Sequence, residues 1–163
     1  MNESTPAPDY LGTSQPRLVL YLPHRPNGLA QLVAAPNTQA LMAANSNHWR
    51  KIVTLLAKIA SPDAGDWRRF RDDELFRQTA LSFTPWLSET HAWHWVGGKD
   101  NLQRFSGLTH RAQPLTDCPE VSMDPGLRLL LTPYPDYRQL SNAVVEHVRS
   151  ALRHQGFYGK ASA

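Results

Sequence analysis

The chain has 163 residues, with 17 Lys+Arg against 14 Asp+Glu for a formal charge of +3, and 41% of its side chains are apolar. That balance excludes a disordered or fibrous chain, and the length suits one domain with a single sizeable core. No apolar run approaches the ~20 residues of a membrane span, no basic stretch with an apolar core opens the chain, and the single cysteine, Cys118, excludes an internal disulfide and a multi-cysteine zinc site.

These features point to a reducing, cytoplasmic setting. Residues 1–16, with three prolines and several small polar side chains, read as an irregular N-terminal arm ahead of a single domain over 17–163. Leu18-Val19-Leu20-Tyr21-Leu22 is a continuous apolar run cut off by Pro23, as in a central parallel strand, although periodicity alone also admits a helix. His24 to Asn45 contains Pro26, Gly28 and Pro36 and reads as a long loop with one short helix.

Asn45 or Ser46 can cap a helix running to about Ala60, whose Trp49, Ile52, Val53, Leu56 and Ile59 recur at spacings of three and four as one buried stripe. Pro62, Gly65 and Asp66 break the chain, and a second helix is expected from Trp67 to about Ala80 with Asp66 as its cap. Its Arg68, Arg69, Arg71 and Arg77 interleave with Asp72, Asp73 and Glu74 as a solvated, ion-paired face. His91 to Val96 is the next strand, rich in aromatic side chains; Gly97-Gly98 follows, and Lys99 to Phe105 is a short helix.

Gly107 to Gly126 carries three prolines, the cysteine and no period, so it reads as a loop with at most a brief strand. Leu127-Arg128-Leu129-Leu130-Leu131 is the third strand, stopped by Thr132-Pro133-Tyr134-Pro135-Asp136. A final helix from Tyr137 to about His154 shows Leu140, Val144, Val148 and Leu152 at four-residue spacing, and Asp136 with Gln139 resembles a capping box. Strand, loop and helix thus repeat three times. The pattern predicts an α/β fold: a three-layer sandwich with a short, mostly parallel central sheet flanked by helices.

In such a sheet ligands bind beyond the carboxyl ends of the strands, where Pro23–Gly28, Gly97–Asn101 and Thr132–Asp136 would converge. Thirteen arginines against four lysines suit a partner bearing carboxylates or phosphates. Lys99, behind Gly97-Gly98, is the best phosphate candidate, although the eight-residue P-loop pattern is missing and plain strand-to-helix turn chemistry is the favoured account of the glycines. His24, Arg25 and Asn27 on the first loop can bind an anion or a base edge, or simply fill a Pro-rich loop. Tyr134, beside Asp136 and near Arg138, can stack on a base or form a rigid loop corner.

His91 and His94, three apart on a strand, face opposite sides and cannot share a metal ion. Trp49, Trp93 and Trp95 are expected in the core. Cys118 has no adjacent base and is expected to be inert. No metal or organic cofactor is expected.

Four motifs, in order, resemble the uracil-DNA glycosylase superfamily, especially its short mismatch-specific branch. They are the strand and Pro-containing loop LVLYLPHRPNG, the helix opening Asn45-Ser46-Asn47-His48-Trp49-Arg50, the strand and Gly-Lys turn of WHWVGGKDNLQRF, and the strand and Pro-x-Pro loop of LLLTPYPDYRQLSN, covering about residues 18–153. The resemblance implies that the first loop carries an Asp or Asn before its Pro to position water; aligned on Pro26, this chain has Arg25, which is no water acceptor. It also implies His-Pro-Ser-Pro in the last loop, where this chain has Thr132-Pro133-Tyr134-Pro135. Thr132 can donate one hydrogen bond but lacks imidazole, and Tyr134 replaces a serine that helps pinch the DNA backbone.

The expected function is therefore a DNA- or nucleotide-binding module on a glycosylase-like scaffold without the usual catalytic residues. The alternative is a divergent glycosylase or other hydrolase at the same strand-end mouth, with Asp136 or His24 activating water.

Overall fold

Short runs of Leu, Val, Trp and Ala that are buried on both faces set the middle of this fold. The computed structural model describes residues 8–159. In chain order these begin with β1 (Tyr10–Gly12), β2 (Leu18–Tyr21), α1 (Leu29–Ala34), α2 (Thr38–Ala44) and α3 (Asn47–Ala60). A 3₁₀ turn (Ala64–Asp66), α4 (Trp67–Asp73), α5 (Leu75–Gln78), β3 (Thr79–Ser82), β4 (Trp93–Gly97) and α6 (Lys99–Gln103) follow. The chain closes with β5 (Gln113–Leu115), β6 (Cys118–Asp124), β7 (Leu129–Thr132) and α7 (Asn142–His154).

All seven strands form one sheet, ordered β1-β3-β2-β4-β7-β6-β5. Its centre is parallel: β2 pairs with β3 and with β4, and β4 pairs with β7. Leu18, Leu20, Trp95 and Leu130 pack from one face into a core shared with Ile52, Leu56, Val148 and Leu152. Val19, Tyr21, Val96 and Leu129 cover the other face together with Phe105. Trp49, Trp93 and Trp95 are buried as expected, and so is the α3 stripe, each such side chain contributing roughly 1.5–3 kcal/mol.

The sheet is mixed rather than short and mostly parallel. Three of its six pairings are antiparallel: β1 with β3, β5 with β6, and β6 with β7. The segment read as a loop folds into the β5–β6 hairpin, and β6 turns into β7 through four residues, a connection that only an antiparallel pair allows. β5 and β6 show no clean alternation of buried and exposed positions, so no period marked them.

The helix expected to reach Ala80 stops at Gln78, and its last residues form β3 instead. All four β3 residues are buried between β1 and β2; an apolar run that short fits strand or helix equally. Two helices, α1 and α2, occupy the expected long loop. Leu127 and Arg128 belong to the turn before β7. α7 starts at Asn142, where the Ser141 side chain accepts from the Val144 amide at 3.3 Å, whereas the Asp136 carbonyl accepts from the Gln139 and Leu140 amides at 3.0 and 2.8 Å and closes a separate turn. Within the expected N-terminal arm, Tyr10–Gly12 are strand, and residues 1–7 lie outside the described residues. No helix among the described residues is long and apolar enough to cross a membrane.

Candidate functional site

The parallel strands β2, β4 and β7 end together, so their loops share one mouth. Asn101, on the first turns of α6 and nearly fully buried, fastens the ends of β2 and β4. Its Nδ2 donates to the Tyr21 carbonyl at 2.8 Å and to the Gly97 carbonyl at 3.3 Å, while its Oδ1 accepts from Arg104 Nε and Nη2 at 3.0 and 2.9 Å. Arg104 Nη2 also donates to the Leu22 carbonyl at 3.2 Å. Every polar atom of that amide is used, which makes the mouth a rigid frame. Beside it lies a cleft of about 1000 Å³ lined by Lys99, Asn101, Glu120, Ser122 and Tyr134 among others.

The Pro-Tyr-Pro loop lies flat on Gly97-Gly98. A β-carbon at Gly97 would stand 2.7 Å from Pro135 Cδ and 3.3 Å from the Pro133 carbonyl oxygen, and Gly98 has φ +96°. Proline and backbone cannot swing aside, so Gly97→Ala should lift the loop off β4. We expect it to cost about 1–3 kcal/mol and to displace Tyr134. A urea titration and the Tyr134 ring resonances check this; unchanged values in both would refute it.

Three rings stack on the other side of that loop. Tyr134 lies on His48 with centroids 5.5 Å apart and planes within 8°; His24 lies near both, at 6.3 Å from Tyr134 and 5.7 Å from His48. Trp49 meets His24 edge-on at 5.6 Å. The Tyr134 hydroxyl bridges the imidazoles, 3.1 Å from His48 Nε2 and 3.3 Å from His24 Nε2. Burial, then the His48 and Arg104 charges, hold the His24 pKa below its ordinary value, which favours the free base. Burial and the Asp136 carboxylate push the Tyr134 hydroxyl up to about 12.

From this stack, cations and rings alternate along the exposed side of α3. Lys51 Nζ lies 5.6 Å and Lys58 Nζ 5.7 Å from the Tyr137 ring centroid. Lys58 Nζ is also 5.0 Å from the Trp67 ring, and the Arg68 guanidinium is 4.5 Å from it. Lys58 and Asn142 both line two adjoining clefts of about 350 and 340 Å³. Tyr137 is 42% exposed, and none of Lys51, Lys58 or Arg68 forms an ion pair among the described residues. The neighbouring Arg69 is committed to Asp66 and Glu74, and Arg71 to Asp72.

Of the residues singled out in the sequence, His24 and Tyr134 meet in the stack, and Lys99, Thr132 and Tyr134 line the large cleft. Arg25 turns away: its Nε donates to the Pro8 carbonyl at 2.6 Å and its guanidinium sits over Phe83. Asn27 is tied to α2, its amide N–H donating to Asn45 Oδ1 at 2.7 Å and its Nδ2 to the Ala44 carbonyl at 3.2 Å. Thr132 donates to the Pro133 carbonyl at 2.6 Å and accepts from Trp95 Nε1 at 2.8 Å, so its one proton is already used.

Asp136 Oδ1 accepts from the Arg138 amide at 2.9 Å; that bond, with the Lys51, Arg138 and His48 charges, holds its carboxyl below the usual range. Arg138 is exposed. His48, Lys51, Lys58, Trp67, Asn101, Arg104 and Tyr137 were not marked as site residues by the sequence. The signals present were His48 in the helix-opening motif and the Tyr137-Arg138 pair next to Asp136.

Cys118 is buried, and burial together with the Glu120 carboxylate that accepts from its thiol at 3.3 Å pushes it up to about 11, the setting of an unreactive thiol. Among the described residues no group of three or more His, Cys, Asp or Glu side chains is placed to share a metal ion.

Residues 9–153 match one protein family, described as "Family of unknown function (DUF6942)", and the chain belongs to it. No curated protein and no solved structure matches the chain.

Proposed function

We propose that this member of a family of unknown function is a nucleic-acid-binding module that grips a strand at the mouth and along α3. The carrying observation is a run of rings and cations: the His24, His48 and Tyr134 stack, then the alternation of Lys51, Tyr137, Lys58, Trp67 and Arg68. Every base offers a π-face to an aromatic ring, and every linkage offers a phosphate to a cation, so this alternation is the chemistry of a single-strand platform. From His48 to Lys58 the helix rises about 15 Å, the length of a few nucleotides.

The architecture we propose for this role is a three-layer sandwich of the uracil-DNA glycosylase kind. The parallel centre of the sheet and the gathering of three strand-end loops support that. Arg25 turned outward, Thr132 internally bonded and Tyr134 stacked on imidazoles support binding without the glycosylase chemistry that the motif order implies.

Fluorescence anisotropy with labelled single-stranded and duplex oligonucleotides across a salt series tests it. Micromolar binding with a log–log slope of several units is expected, and Lys51→Ala with Lys58→Ala should take about two units off that slope. Absence of binding at low salt, or an unchanged slope in the double variant, would reject the platform.

A second reading, a divergent base-excising or other hydrolytic enzyme, has the Tyr134 hydroxyl between two imidazoles in its favour, with His24 held as a free base able to orient water. It requires release of free uracil from duplex DNA, abolished in His24→Ala. Uracil, thymine-mismatch and hypoxanthine duplexes left intact would remove its standard forms.

A further inference from the structure

The opposite, amino-terminal edge of the sheet holds a cleft of about 660 Å³, within the size range of small-molecule sites. Its walls include Arg17, Arg128, Glu89 and His91, and its apolar side is made by Trp93 and Phe157. The strands themselves place the two arginines. The Arg17 carbonyl accepts from the Trp93 amide at 2.9 Å and the Arg128 carbonyl from the His94 amide at 2.7 Å, so the arginines stand just before β2 and β7, one on each side of β4. At about 4.8 Å per strand their backbones lie roughly 10 Å apart, a span that two arginine side chains bridge around a small ligand.

Each guanidinium is aimed by a single carbonyl. Arg17 Nη2 donates to the Phe157 carbonyl and Arg128 Nη1 to the His91 carbonyl, both at 2.7 Å, and neither arginine forms an ion pair among the described residues. The cleft thus holds two guanidinium charges against the one carboxylate of Glu89. Arg17 also lies over the Phe157 ring at 5.5 Å, which sets a charge-bearing fork beside an aromatic wall.

Arg128 supplies a second, independent observation. With φ 53° it is the one non-glycine residue at positive φ among the described residues. It ends the turn in which the Asp124 carbonyl accepts from the Leu127 amide and the Pro125 carbonyl from the Arg128 amide, each at 3.2 Å. Glycine would close such a turn without strain. The chain keeps a long cationic side chain where the backbone favours none, and strain of that kind gathers at ligand sites.

We propose that this cleft is a second binding site, for a phosphate monoester of an aromatic group: Arg17 and Arg128 hold the phosphate oxygens and Trp93 and Phe157 flank the ring. Guanidinium forks match phosphate oxygens two at a time, and the dianion answers the charge excess of the walls. The site lies across the sheet from the mouth, so its fate is separate from that of the nucleic-acid reading.

The experiment is a titration of the full chain with phenyl phosphate and with inorganic phosphate, followed by calorimetry and by the Trp93 indole resonance. Phenyl phosphate is expected to bind with a Kd below about 1 mM and inorganic phosphate about tenfold more weakly, with only the former shifting Trp93. Arg128→Gly removes the fork at a position where glycine is at home, so its melting temperature should be unchanged or higher while phenyl phosphate binding falls at least about tenfold. Arg17→Met should weaken binding comparably, and Lys51→Ala with Lys58→Ala should leave it unchanged. No binding of phenyl phosphate at about 10 mM, equal affinity for the two phosphates, unchanged binding in Arg128→Gly, or a response at Tyr134 instead of Trp93 would each overturn the proposal.

Discussion

Replacing Arg149 with methionine is expected to destabilise the fold by about 3 kcal/mol, because a buried charge here does the work of a helix cap. Arg149 is only 1% exposed, yet it has no carboxylate partner among the described residues. Its Nη1 donates to the carbonyls of Lys58, Ile59 and Ser61 at 2.9, 3.1 and 2.7 Å, and its Nη2 to that of Pro62 at 3.2 Å. These are the last carbonyls of α3 and the turn beyond it, the negative end of that helix's dipole.

The Tyr158 ring lies 4.5 Å from the guanidinium, and its hydroxyl donates to the Ile59 carbonyl at 2.7 Å, closing the arrangement from outside. Methionine fills the volume but leaves those carbonyls short of donors, the Ile59 and Ser61 carbonyls in a buried place. Lysine offers only three donors on a point charge, so Arg149→Lys should recover little of the loss. For a chain of this size the methionine variant should melt about 6–12 °C lower. A shift under about 2 °C would show that the α3 terminus finds its partners elsewhere.

The parts of the fold that could be read beforehand share one property. β2, β4 and the α3 stripe are apolar runs bounded by proline, glycine or a capping residue, so burial pattern and punctuation agree there. β3 has the burial but not the punctuation: it follows α5 directly, Thr79 Oγ1 donating to the Leu75 carbonyl at 2.7 Å across the junction. β5 and β6 have neither, since their exposure follows no period of two.

The site was legible as a place and less so as a set of side chains. Parallel strands bring their terminal loops together whatever those loops contain, and that placed His24, Lys99 and Tyr134 at one mouth, Lys99 also through its Gly-Gly turn and Tyr134 through its flanking prolines. His48 and Tyr134, 86 positions apart, meet only because α3 begins beside the end of β7. Trp67 carries no local mark at all, and Tyr137 carries only its place beside Asp136. Arg25 and Asn27 sat on the right loop, but neighbouring backbone groups claimed their hydrogen bonds first.

Acidification should weaken the protein well before its carboxylates titrate, and His94 is the reason. It is buried on β4, with the Tyr21 hydroxyl 2.8 Å from its Nδ1. The Ser88 amide donates into that same hydroxyl at 2.9 Å, which leaves the phenolic proton free for the imidazole and favours neutral His94. Burial, and then the Arg128 charge, lower its pKa to about 4 from 6.5. Between those values the unfolded chain binds a proton that the folded chain refuses. The stability that neutral His94 supplies is therefore complete above about pH 6.5 and is lost as pH falls toward 4.

From pH 7.5 to 4.5 the linkage amounts to roughly 2–3 kcal/mol for this one group. His24, also held below its ordinary value but mostly exposed, adds a smaller change of the same sign. Asp124 and Asp136 are held below the usual carboxylate range, so their stabilisation is lost in more acidic solution and does not blur this window. Urea unfolding at the two pH values measures the difference. In His94→Gln, whose side-chain oxygen can still accept from Tyr21 but does not titrate, the loss should shrink to under about 1 kcal/mol. An equal loss in wild type and variant would mean that another group carries the acid sensitivity.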